Sequence, residues 1–142
     1  DEIIEAAKTV NADKFILKTP NGYDSEVGEG GNKLSVGEKQ LLSFARAIIA
    51  DPRILILDEA TSSIDTETEK LIQNAIDVLL EGRTSFIIAH RLSTIVNADL
   101  ILVLRKGIIT ESCNHKELLE KQGYYHRLYL NQFKEKKTNE VL

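Results

Sequence analysis

The sequence contains no methionine and a single cysteine, Cys113. One thiol cannot close an internal disulfide, which agrees with a reducing compartment. A chain that begins at Asp1 with no methionine is either a processed product or a piece of a longer protein, and composition leaves both open. Long apolar runs are missing too. The longest, residues 54–57 and 100–104, fall far short of the roughly 20 residues that span a bilayer. If the protein works at a membrane, the spanning part is expected elsewhere. There is no basic excess: 18 Lys and Arg face 22 Asp and Glu, for a net charge of -4. That balance lacks the positive footprint of a nucleic-acid binder. Repeats at solenoid periods are absent as well.

What remains is an ordinary globular composition. The 142 residues are 42% hydrophobic and 28% charged, enough for one domain or part of one. Apolar residues at helical spacing (Ile3, Ile4, Ala7, Val10) predict a helix over residues 1–17. Thr19-Pro20-Asn21-Gly22 reads as a turn. Residues 25–33, with Gly28, Gly30 and Gly31, read as an extended loop. A helix is predicted from Ser35, stopped by Asp51-Pro52. Residues 54–57 lack alternation and suit a strand buried on both faces. A helix over 66–81 ends at Gly82, and a strand over 84–89 follows. A short helical piece near 93–96 leads to a strand over 100–104. Arg105-Lys106-Gly107 predicts a hairpin into 108–111, and helices are predicted over 116–121 and 124–134. Strands alternating with helices imply an α/β fold with a mainly parallel sheet.

Three segments carry chemistry. The apolar run 54–57 ends in two carboxylates, Asp58 and Glu59. Ligands of open α/β sheets gather at the carboxyl ends of strands. One acid there can hold Mg²⁺ through water and the next can polarise an attacking water. A solvated acidic turn would look the same. Leu34-Ser35-Val36-Gly37-Glu38 opens a helix, where N–H groups and the dipole favour a phosphate. Ser35 is equally suited to cap that helix, and the two roles are compatible. His90 follows the apolar strand 85–89, where it could hydrogen-bond a phosphate or a water, although a lone His is more often structural.

Together these segments resemble the ABC ATPases. Residues 34–38 are similar to the family's LSGGQ signature, and residues 54–59 to its Walker B strand with the adjoining glutamate. Ser62-Ser63-Ile64-Asp65 is similar to the D-loop and Ile88-Ala89-His90-Arg91 to the switch histidine, all in the family's order and spacing. The resemblance runs from Asp1 to about Phe133. Residues 25–30 and 107–119 further resemble exporters. The resemblance implies a partial P-loop NTPase (RecA-like) sheet with part of the ABC helical subdomain. Residues 1–50 would belong to the helical subdomain, 51–133 to the RecA-like core, and 134–142 to a polar, frayed tail. It implies ATP and Mg²⁺ as ligands, with Asp58 positioning the metal, Glu59 as general base and His90 at the γ-phosphate. Ser35, Gly37 and Glu38 would bind the nucleotide of a partner domain in trans. Asp65 would lie at the dimer interface, unless it is only the cap of the following helix. The implied partners are a second nucleotide-binding domain and a transmembrane domain, at the cytoplasmic face of the membrane, with no nucleic acid.

The sequence departs from the family at two kinds of place. Val36 stands where glycine is usual and Glu38 where glutamine is usual; the first crowds the backbone and the second adds negative charge beside the phosphate. No GxxxxGKS or GxxxxGKT occurs, so the backbone cradle for the β- and γ-phosphates is missing. The expectation is the C-terminal part of an export ATPase, inactive alone and only partly covered on its sheet. The alternatives are a shortened module that lends its signature to another domain, and a soluble ABC ATPase.

Overall fold

The structure is a computed structural model that describes the backbone of residues 1–58, 65–88 and 92–139, and the side chains of these except 92–93 and 132–139. Two compact units result, residues 1–88 and 89–142.

In the first unit, α1 (Glu2–Thr9) and α2 (Asp13–Ile16) replace the single predicted helix. The break is at Asn11, whose φ of 58° is left-handed, and asparagine tolerates that region better than most residues. The Ala12 N–H instead reaches back to the Ala7 carbonyl at 2.8 Å. The predicted turn is present and organised by Thr19, whose hydroxyl donates to the Ile16 carbonyl at 2.6 Å and lies 2.7 Å from the Ser25 hydroxyl. The loop that follows is not fully extended, because residues Glu29–Gly31 form a 3-10 turn. Gly28 enters it at φ 76°, and a Cβ there would overlap the Asn32 amide.

Helix α3 (Val36–Ala50) then runs between the predicted signals, with Ser35 as N-cap and Asp51 as a left-handed C-cap. Strand β1 (Ile54–Asp58) follows, then α4 (Thr66–Leu80) and β2 (Thr84–Ile88). Gly82, at φ 70°, turns the chain after α4, as glycine does past a helix end. β1 and β2 pair in parallel, Ile54 opposite Thr84 through Asp58 opposite Ile88. Ala6, Ala7, Val10, Leu41, Phe44, Leu55, Ala75, Ile76 and Leu79 form one core.

β1 is not buried on both faces. Leu55 is 8% exposed, but Ile54 and Ile56 are 62% and 70% exposed. β2 alternates likewise, with Phe86 and Ile88 outward. The core of this unit comes from α1, α3 and α4 with Leu55 of β1, and among the described residues nothing covers the other side of the strand pair.

The second unit contains α5 (Leu92–Ile95), β3 (Ile101–Arg105), β4 (Ile108–Cys113), α6 (His115–Glu120) and α7 (Tyr124–Asn139). The hairpin forms as predicted, with Lys106 and Gly107 at φ 51° and 78°, the paired positive angles of a two-residue turn that suits strand twist. β3 pairs antiparallel with β4, so the described strands make one parallel and one antiparallel pair. Ile101, Val103, Leu118 and Tyr125 form the core. Burial raises the phenol pKa of Tyr125, and its hydroxyl is met by His115 Nδ1 at 2.7 Å. Glu111 of β4 caps α7, accepting from the backbone N–H of Tyr124 at 2.5 Å and of Tyr125 at 3.2 Å. The helix continues to Asn139, through much of the stretch expected to fray.

Candidate nucleotide-binding site

The start of α3 is built from a four-residue reciprocal cap. The Ser35 hydroxyl accepts from the Glu38 N–H at 3.2 Å, and the Glu38 carboxylate accepts from the Ser35 N–H at 2.8 Å. The S-x-x-E spacing is the sequence signature of this box. The serine alone signals a cap, and the glutamate three residues on completes it. Helix geometry leaves the N–H groups of Val36 and Gly37 without intrahelical acceptors. Gly37 is buried, while Val36 points outward at 59% exposure. Val36 thus sits without difficulty at the first helical position, and its side chain lies beside the free N–H groups.

Asp58 closes β1 and is exposed at the carboxyl end of the parallel pair. Its register partner is Ile88. Glu59 and His90, the expected catalytic pair, lie outside the described residues. Asp65 is described, and it caps α4: its carboxylate accepts the Thr68 N–H at 2.9 Å. That hydrogen bond holds the Asp65 pKa below its usual value. The structure therefore gathers Ser35, Gly37 and Glu38 into one helical turn and sets Asp58 and Asp65 on the elements predicted for them.

The residues suit a phosphate and its metal. An anion finds a hydroxyl and two N–H groups at the head of a 15-residue helix. Mg²⁺ takes few protein ligands, commonly one or two carboxylates beside phosphate oxygens and waters. A single acid such as Asp58 meets that need, and among the described residues no group of three or more His, Cys, Asp or Glu could hold a metal by itself.

One supporting contact had no local signal. The Arg83 guanidinium donates to the Asp51 carboxylate at 2.7 Å and to the Leu79 carbonyl at 3.0 Å. It ties the end of α3 to the turn between α4 and β2. The two residues are 32 apart in sequence, which hides the pairing from any window-based reading.

A family profile described as "ABC transporter" matches residues 2–62. The chain is 57% identical over 129 residues to a putative multidrug export ATP-binding/permease protein of Staphylococcus aureus, covering 91% of this chain. This chain belongs to the ABC transporter family. It is also 55% identical over 125 residues, or 88% of its length, to ABC transporter B family member 14 of Arabidopsis thaliana. Among solved structures it is similar to a bacterial Atm1-family ABC exporter with ATP bound, with a TM-score of 0.80 and 45% identity over 92% of this chain. The P-loop NTPase fold of this chain follows from that likeness. The chain spans 22% of the Staphylococcus protein, 10% of the Arabidopsis protein and 23% of the solved exporter chain. No helix among the described residues is long and apolar enough to cross a membrane.

Proposed function

We propose that this chain is the C-terminal part of the ATP-hydrolysing domain of an ABC exporter, at the cytoplasmic face of a membrane. Residues 1–50 then belong to the helical subdomain, 51–133 to the RecA-like core, and 134–142 to a terminal extension. The observation that carries this reading is the order of a capped helix head at Ser35 and an acid-tipped parallel strand at Asp58, in a chain this close to named export proteins.

The roles follow from chemistry. The Ser35 hydroxyl and the N–H groups of Val36 and Gly37 face the γ-phosphate of a nucleotide held by a second ATP-binding domain, identical or not. Asp58 would hold Mg²⁺, which would supply positive charge beside the phosphate oxygens. Glu59 takes a proton from the attacking water, and His90 holds that water and the γ-phosphate in line. Asp65 keeps α4 seated beside the partner domain. MgATP supplies the phosphoryl group and the charge that draws two domains together. A transmembrane domain, with which residues 25–30 make contact, converts that approach into transport.

The test is ATP turnover. The 142-residue chain alone, lacking GxxxxGKS or GxxxxGKT, is expected to hydrolyse no ATP above background. The full-length protein is expected to do so, and Glu59→Gln is expected to lower its kcat by at least about 10²-fold, in the range of general-base loss, with ATP still bound. Unchanged turnover in that variant would defeat the assignment.

A further inference from the structure

The capping box has a chemical consequence for the phosphate site. A box serves a helix by presenting a carboxylate to backbone donors, which is also what a phosphate does. Here the Glu38 carboxylate lies 2.8 Å from the Ser35 N–H, at the same helix head whose Val36 and Gly37 N–H groups are left over. The donor cluster already has an anion of its own. Of the nearest cations in sequence, Lys33 is engaged otherwise: its Nζ donates to the Glu26 carbonyl at 3.1 Å.

We propose that Glu38 is a built-in counter-anion that weakens phosphate binding at the head of α3. This rests on the reading of that helix head as a nucleotide half-site. The carboxylate takes one N–H from the cluster, offsets the positive end of the helix dipole, and repels an incoming phosphate across a few ångströms. Glu38 acts through charge, so it tunes affinity without touching the reacting atoms. A glutamine at the same position keeps the acceptor for the Ser35 N–H and removes the charge. The cap and the penalty can therefore be separated.

The experiment uses the full-length protein, with Glu38→Gln and Ser35→Ala, and measures the MgATP concentration at which the two ATP-binding domains close. The expected result for Glu38→Gln is a several-fold lower half-saturating MgATP concentration, about three- to tenfold at low salt, from removal of one nearby like charge in a partly solvated site. That advantage should shrink as salt rises to about 0.5 M and screens the repulsion. Ser35→Ala should raise the half-saturating concentration. If Ser35→Ala does so while Glu38→Gln equals or falls below wild type in affinity, the counter-anion role is overturned and the half-site stands. If neither variant shifts closure, the half-site reading falls and this inference with it. Melting curves for both variants keep a loss of folding distinct from a loss of binding.

Discussion

Leu79 on α4 is 0% exposed, while Phe86 on β2, seven residues later, is 60% exposed. The contrast holds across the first unit. Its helices bury Ala6, Ala7, Leu41, Ile76 and Leu79 against one another, whereas its two strands bury one side and leave Ile54, Ile56, Phe86 and Ile88 outward. An amphipathic helix needs one partner to hide its stripe, and α1, α3 and α4 supply that to each other. A strand with apolar residues on both faces needs two covering layers, and the described residues provide one. The helical layer is thus expected to carry the stability of this unit, and the outer strand face to contribute little.

The largest effect should come from breaking that helical layer. Leu79→Ala removes a fully buried side chain and should cost about 2–5 kcal/mol, read from urea unfolding. Ile56→Ala, on the outer face at 70% exposure, should change stability by no more than about 0.5 kcal/mol. The same change at its neighbour Leu55, 8% exposed, should resemble Leu79 rather than Ile56. A loss above about 2 kcal/mol for Ile56→Ala, the scale of a core deletion, would mean that its face is covered and would erase the contrast.

A smaller effect separates cap from core within the helical layer. Ser35→Ala deletes the acceptor for the Glu38 N–H and should destabilise by about 1 kcal/mol, as N-cap losses do. The same melts that report Leu79→Ala report this one. A value near zero would show that the cap hydrogen bond is replaced by water without loss.

How much of this was readable follows the range of each interaction. Ser35, Asp65, Gly82 and the Lys106-Gly107 turn act within four residues of themselves, and the sequence placed the helix ends and the hairpin at or near them. The burial of β1 was misread because an unbroken apolar run describes what a strand can bury, while actual burial depends on which layers meet it. Asn11 broke the first predicted helix just past the last residue of its apolar stripe, Val10. The Asp51–Arg83 pair, and the Glu111 carboxylate at the head of α7, join residues far apart in sequence and left no periodic trace. For the site, residue types and order pointed to Ser35, Gly37, Glu38, Asp58 and Asp65. The reciprocal bond from Glu38 to the Ser35 backbone came only from the geometry, although its spacing was in view.

The finest test concerns pH, at the exposed start of α4. The Asp65 carboxylate accepts the Thr68 N–H, and this bond holds its pKa below the ordinary 3.8. A carboxyl that is more acidic in the folded chain than in the unfolded one binds fewer protons when folded. Its contribution is therefore fully present above the unfolded value and fades as pH falls through the folded one. Asp65→Asn keeps an oxygen acceptor for the Thr68 N–H but cannot titrate. Wild type should lose stability more steeply than Asp65→Asn below about pH 4, where the unfolded carboxyl begins to take up its proton, and the two slopes should agree near neutrality. The difference should be the smallest of the three, because the group is exposed and salt screens it. Parallel curves through the acid range would show that the Thr68 bond does not distinguish the charged carboxylate from a neutral amide, and that the cap holds α4 by geometry alone.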